Sequence, residues 1–294
     1  MKVKEVVFIS GKGGAGKTSI MAAFSQLAQN TVVLADADVD AANLFLLIHP
    51  VNTTNLPFYG MDRAFINPSL CNGCGLCQKV CQFDALNKTQ SVFQVQLNQC
   101  EGCARCVDFC PTKAITMASA QRGEVIFGTS QFQSFLVYGS LLPGQENSGK
   151  LVTQVREKAK EIAHKNNISL ILIDGPPGIG CPTIAATGNT SLTVLICEAT
   201  LQGFHDAKRA LEILKKMNTP VAFILNKTGL SSKLDKEIKA WIAQNKIFLL
   251  GKFPFSKAFI KSLKQQKSPL EVKKLKPIFQ KIYKKILDFI KEDL

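Results

Sequence analysis

The feature that most constrains this chain is Gly11-Lys12-Gly13-Gly14-Ala15-Gly16-Lys17-Thr18, set between the apolar run Val6-Val7-Phe8-Ile9 and the helix-compatible run Ile20-Met21-Ala22-Ala23-Phe24. A buried strand that passes through glycines into a helix start forms a phosphate cradle. Backbone N–H groups converge on the anion, and the positive end of the helix dipole faces it. In the pattern GxxxxGK[ST], Lys17 meets the β and γ phosphates and the Thr18 hydroxyl reaches Mg2+, with Ser19 next in the helix. The spacing therefore predicts a nucleotide site on Gly11, Lys12, Gly13, Gly14, Ala15, Gly16, Lys17, Thr18 and Ser19.

Lys12 gives the loop a second lysine, and two neighbouring cations repel unless a polyanion lies between them. With KGGxGK[ST] complete, the sequence resembles the MinD/ParA/nitrogenase-iron-protein superfamily of P-loop ATPases. The resemblance implies ATP and Mg2+ as cofactors. It also implies that Lys12 reaches across a dimer to the partner's nucleotide, the partner being a second copy or a related ATPase.

Thr31-Val32-Val33-Leu34-Ala35 reads as a second buried strand and ends in Asp36-Ala37-Asp38-Val39-Asp40. Carboxylates at that edge of a parallel sheet face the same crevice as the phosphate loop. The stretch resembles the superfamily's first switch, DxDxxxxNL, which implies Asp38 beside the attacking water and Mg2+, Asp36 as a hydrogen-bonding support and Asp40 in solvent. Ile168-Ser169-Leu170-Ile171-Leu172-Ile173 closes in Asp174, the pattern of a carboxylate that holds Mg2+ through water. Gly175-Pro176-Pro177-Gly178 after it resembles the DxPxG second switch. Farther on, the strand Pro220-Val221-Ala222-Phe223-Ile224-Leu225 ends in Asn226-Lys227, which resembles the family's adenine-recognition position, with Pro254 helping to wall the base. His205 and Asp206 read as surface and capping residues of the helix that carries Phe204, Ala207, Ala210, Leu211, Leu214 and Met217 on one face.

A different module interrupts this order. Cys71, Cys74, Cys77 and Cys81 are repeated as Cys100, Cys103, Cys106 and Cys110, each displaced by 29 residues. CxxCxxC turns place three thiolates around one cubane, and the fourth cysteine of each run ligates the other cluster. Cys71, Cys74, Cys77 and Cys110 are thus assigned to one 4Fe-4S cluster, and Cys100, Cys103, Cys106 and Cys81 to the second; two tetrahedral zinc sites are the competing reading. The segment resembles a bacterial two-cluster ferredoxin, from which it departs at Gln82, where proline is usual, as at Pro111. Of the remaining cysteines, Cys181 reads as a structural thiol near the second switch, and Cys197 as core.

The 294 residues are 46% hydrophobic, enough for a substantial core. No apolar stretch reaches about 18 residues, and Met1-Lys2-Val3-Lys4 leads into the first strand without a signal-peptide pattern, so a cytoplasmic protein is expected. The formal charge is +14, of which residues 251–294 carry +8, from 12 Lys against 4 Asp and Glu. These lysines read as a solvated face, and neither nucleic acid nor membrane is favoured as a partner. The final helix, with Ile278, Ile282, Ile286 and Ile290, could lie on an anionic membrane or cover the sheet, and covering is favoured.

The expected fold is α/β, a P-loop NTPase with a largely parallel sheet flanked by helices and interrupted by a small α+β ferredoxin-like insert. Residues 1–65 and 119–294 form the ATPase domain, residues 66–118 the insert, and residues 45–65 a connector. GxxxPGxxxSGKLV across 139–152 adds to the resemblance, whereas Ala199 and Asn189 depart from relatives that tend to carry Pro and Asp. The resemblance implies an ATPase whose nucleotide-dependent dimer governs electron transfer through two 4Fe-4S clusters to a redox or iron-sulfur partner. An Mrp-like cluster carrier and a MinD-like positioning ATPase are the alternatives.

Overall fold

A computed structural model describes residues 2–143, 149–265 and 267–292. Residues 144–148, inside the 139–152 stretch, lie outside the described residues. The chain divides into two compact units: residues 1–56, 125–140 and 147–294 form the first, and residues 57–124 with 141–146 the second.

Strand β1 (Lys4–Ser10) leads into α1 (Lys17–Ala28), then β2 (Val32–Asp36), α2 (Phe45–Ile48) and β3 (Val51–Tyr59). The cysteine segment adds β4 (Arg63–Ile66), α3 (Leu76–Val80), β5 (Leu86–Thr89), β6 (Val92–Val95), α4 (Arg105–Asp108) and β7 (Ile115–Ala118). After β8 (Gln121–Thr129) and β9 (Phe135–Leu141), helices and strands alternate: α5 (Lys150–Lys165), β10 (Leu170–Pro177), α6 (Cys181–Thr187), β11 (Leu192–Glu198), α7 (Leu201–Lys216), β12 (Val221–Thr228), α8 (Ser232–Gln244) and β13 (Phe248–Pro254). Helices α9 (Lys257–Lys264) and α10 (Lys276–Glu292) follow.

Nine strands form one sheet in the order β13-β12-β11-β1-β10-β2-β9-β8-β3. The six pairings from β13 to β9 are all parallel. Every residue of β1 and β2 is buried, because helices cover both faces and leave no side for polar residues. Phe279, Ile282, Ile286 and Ile290 of α10 are buried in the same core as Phe24 of α1, whose ring meets Phe279 edge-on at 5.8 Å. Each such side chain contributes about 1.5–3 kcal/mol by leaving water, so this face of α10 belongs to the fold. Among the described residues no helix is long and apolar enough to cross a membrane.

The stretch expected as a connector is instead ordered as α2, β3 and the start of β4. Its strand escapes sequence reading because β3, VNTTNLPFY, is exposed at every position except Phe58 and so lacks alternation. It is the edge strand of the sheet, where a proline can be accommodated. Another correction concerns α7, which is capped by Thr200, whose hydroxyl accepts the Gly203 N–H at 3.1 Å; Asp206 lies within the helix.

In the second unit the duplication extends beyond the cysteines. Strands β4 and β7 pair antiparallel with Arg63 opposite Ala118 and Ile66 opposite Ile115, while β6 and β5 pair with Val92 opposite Thr89 and Val95 opposite Leu86. Both registers are related by the 29-residue offset that relates the cysteines. A small core of Ala64, Ile66, Leu86, Phe93, Ala114 and Ile115 packs around the thiols.

Candidate functional site

The phosphate loop links the carboxyl end of β1 to α1, and two of its glycines are in the left-handed region, Gly14 at φ 79° and Gly16 at φ 95°. Gly11 and Gly16 also allow close approach: a Cβ on Gly11 would lie 2.5 Å from the backbone of Asp206, and one on Gly16 2.5 Å from Nδ2 of Asn226. Asn226 Nδ2 donates to the Ala15 carbonyl at 2.8 Å, and Lys227 Nζ to the Gly14 carbonyl at 3.0 Å. Asn226, at the end of β12, therefore holds the outer wall of the loop while its Oδ1 accepts the Lys227 N–H at 2.9 Å.

Above the loop opens a cleft of about 860 Å3. Its walls bring together Gly13, Gly14, Gly16, Lys17, Thr18, Ser19, Asp38, Asn226, Lys227 and Pro254 from four separate segments. Leu46, Phe255, Phe259 and Ile260 add apolar lining to the same cleft, which suits a flat ring better than a phosphate.

Asp36 and Asp174 stand side by side in the β2–β10 register. Asp36 is fully employed: Oδ1 accepts the Asp38 N–H at 3.1 Å, and Oδ2 accepts those of Asn43 and Leu44 at 3.0 Å each, fixing the turn that presents Asp38. Burial and the neighbouring Asp174 hold its pKa well above the usual carboxylate range, against the pull of those amides. Asp174 is fully buried and neither carboxylate oxygen has a hydrogen-bond partner among the described residues. Desolvation pushes its pKa up to about 6, with Lys17 and Thr18 opposing the rise and Asp38 adding to it. An orphaned buried carboxylate beside Thr18 fits a cation, since an ion there would return what desolvation removes. Asp38, half-buried, is likewise raised by desolvation and lowered by Lys17, whereas Asp40 is exposed.

In the second unit, Cys71, Cys74, Cys77 and Cys110 line one cavity, and Cys81, Cys100, Cys103 and Cys106 line another. Left-handed Gly73, Gly75, Gly102 and Ala104 curl each CxxCxxC loop around its cavity. All eight thiols are free. Desolvation pushes Cys106 up to about 11, with Cys100, Cys103 and Cys77 adding to the rise. For Cys110 desolvation is outweighed by hydrogen bonds from Thr112 and nearby amides, and its pKa falls. Crowded thiols that oppose one another's ionisation fit a multivalent cationic core, which takes them as thiolates and releases their protons. Among the described residues no three His, Cys, Asp or Glu side chains converge to hold a single metal ion. The four thiols of each set surround a space instead.

Residues 6–270 match the family model of the CobQ/CobB/MinD/ParA nucleotide binding domain. The chain belongs to this family. Two uncharacterized proteins of Methanocaldococcus jannaschii are similar over most of their length: MJ0578 is 33% identical over 232 residues, 78% of this chain and 80% of that protein. MJ0579 is 27% identical over 230 residues, 77% and 81%. Among solved structures, the septum site-determining protein MinD of Pyrococcus horikoshii, complexed with Mg-ADP, aligns with a TM-score of 0.58 at 18% identity, covering 97% of this chain and 96% of that one. An ATP complex of a McdA variant from Cyanothece gives 0.57 at 17%, covering 98% and 96%. The MinD/ParA fold is thus an α/β P-loop ATPase fold, with a largely parallel sheet between helices.

Among the charged residues of this MinD/ParA site, one escaped sequence reasoning. Glu198, at the end of β11, pairs with Lys227 at 3.1 Å and with Lys12 at 3.7 Å. It binds the second lysine of the loop to the strand that carries Asn226. The signal was available only in outline, as an acidic residue closing an apolar strand, because its two partners lie at remote places in the sequence.

Proposed function

We propose that the chain is a Mg-ATP-dependent ATPase that carries two 4Fe-4S clusters and couples its nucleotide state to one-electron transfer. The observation that carries this reading is the meeting of each four-cysteine set around its own cavity, with the fourth cysteine exchanged between the repeats. Cys71, Cys74, Cys77 and Cys110 would hold one cluster, and Cys81, Cys100, Cys103 and Cys106 the other. When bound, such clusters supply reversible one-electron storage. Eight dedicated ligands favour retained clusters over delivered ones.

On the ATPase side, backbone amides of the loop and Lys17 hold the phosphates, Thr18 and Asp174 hold Mg2+, and Asp38 orients the attacking water. The Mg-ADP complex of the MinD relative supports that ligand choice. Asn226, Lys227 and Pro254 would frame the base, the second amide hydrogen of Asn226 being available to the ring. Lys12 would leave Glu198 to meet the nucleotide of a second subunit, a twofold arrangement in which each copy completes the other's site. Anaerobic purification with iron analysis and EPR, followed by ATPase assays with and without dithionite, tests the reading. About eight iron atoms per chain and a turnover that responds to reduction are expected. Two zinc atoms and no iron would overturn it.

A further inference from the structure

Among the described residues three arginines are buried to nine-tenths or more, and they are not alike. Arg156 is neutralised by a two-pronged pair with Glu5, both contacts at 2.9 Å. Arg63 and Arg122, each only 7% exposed, make no such pair among the described residues, and the Nε of each is buried without a hydrogen-bond partner. Arg122 donates from Nη2 to the Met61 carbonyl at 3.0 Å and packs over Gly60, where a Cβ would lie 2.2 Å from its Cδ. The charges facing Arg63 are Arg122, Cys100 and Glu101. Two adjacent buried cations with so little compensation call for a negative group.

The internal repeat identifies which group. Gly102, in the loop of the second cysteine set, lies against the carbonyl of Asp62, and Gly73, in the loop of the first, against that of Ser91; a Cβ on either glycine would be 2.2 Å from that oxygen. Asp62 and Ser91 are related by the 29-residue offset, as are Ala64 and Phe93, which line the second and first cavities respectively. Arg63 therefore stands beside the second set at the place that Val92 holds beside the first. Arg105, which also lines the second cavity, corresponds to Leu76. The remaining charges around the two cavities, Lys79 and Lys113 near the first set and Asp62, Asp84, Glu101 and Asp108 near the second, all lie on exposed side chains and are screened by solvent, unlike the two buried guanidiniums.

We propose, on the reading that both sets hold 4Fe-4S clusters, that Arg63 with Arg122 makes the two halves of the duplication unequal. They raise the midpoint potential of the cluster on Cys81, Cys100, Cys103 and Cys106 above that of the other. Reduction adds one negative charge to a cluster and changes no bond, and a buried guanidinium favours that added charge far more than a valine does. In the singly reduced protein the electron resides on the Cys100 side, and the Cys71 side is the stronger reductant once both are filled.

Potentiometric EPR on anaerobically purified full-length protein tests this, with Cys74→Ser and Cys103→Ser assigning each signal to its set. Arg63→Gln should lower the midpoint of the Cys100-side cluster by at least about 59 mV, a tenfold change in how one electron divides between the clusters. Arg122→Gln should shift it the same way, Arg63→Lys should preserve it, and Val92→Arg should raise the midpoint of the Cys71-side cluster. Full iron content with both midpoints unmoved in Arg63→Gln and Val92→Arg overturns the inference and leaves the cluster reading standing. Absence of iron overturns both.

Discussion

Asn226 and Ala15 are 211 residues apart in sequence, yet the side-chain amide of the first donates to the carbonyl of the second at 2.8 Å. The end of β12 thereby sets the curvature of the phosphate loop. Asn226→Ala removes that bond and leaves a buried carbonyl unmet, which should weaken ATP binding about tenfold. Gly16→Ala should be worse, because it sets a Cβ 2.5 Å from Asn226 at a φ of 95°. Calorimetric titration with ATP checks both; unchanged affinity in Gly16→Ala would mean that the loop is not the binding surface.

Lys17 and Asp38 should separate binding from hydrolysis. Lys17→Ala withdraws the buried ammonium from the phosphates and should abolish ATP binding, whereas Asp38→Ala should retain ATP and lose turnover. Nucleotide content after gel filtration and phosphate release distinguish them, and wild-type turnover in both variants would contradict the site.

Asp174 makes stability depend on pH in a defined sense. Its folded pKa, about 6, lies above its ordinary value of 3.8, so between those limits the folded state holds more protons and stability falls as pH rises. Without Mg2+, Asp174→Asn should be the more stable protein at pH 7.5, by roughly 3 kcal/mol at most, with the gap closing toward pH 4. Urea titrations in EDTA across that range measure it. A gap independent of pH would remove Asp174 as its source.

Lys12 is held by Glu198 at 3.7 Å within one chain, a contact it must exchange to reach another subunit. Lys12→Ala should bind ATP yet remain monomeric where the wild type dimerises. Light scattering in ATP decides this, equal masses for the two proteins being the adverse result.

Cys81 lies in the first cysteine run but lines the second cavity. Cys81→Ser should therefore disturb the cluster held by Cys100, Cys103 and Cys106 and leave the Cys71-side signal intact, with iron falling toward about four atoms per chain. Loss confined to the Cys71-side signal would reverse the crossed assignment.

Much of this was legible in the sequence where the chemistry is local. The phosphate loop, the carboxylates that close β2 and β10 and the cysteine spacings each lie within a dozen residues, and the unbroken apolar runs of β1 and β10 announce strands buried on both faces. What depends on distant partners was not. Glu198 acquires meaning only beside Lys12 and Lys227, and β3 hides because its pairing, not its side chains, makes it a strand. Asn226 could be picked out as a polar strand end, but its grip on Ala15 could not. The inequality of Arg63 and Val92 needed the paired registers of the second unit before the two could be compared.

The antiparallel pairing of β4 with β7 sets the first and last strands of the cysteine segment next to each other, Arg63 opposite Ala118. To the chain on either side, everything between them is topologically a closed loop, and its length adds little to the entropy of bringing those flanks together, since that cost grows only with the logarithm of loop length. A module tied at its own neck can be lengthened, exchanged or removed without asking the surrounding polypeptide to span a new distance. Grafting a two-residue β-turn across Arg63 and Ala118 in place of the intervening residues should therefore leave a P-loop protein that still folds and binds nucleotide.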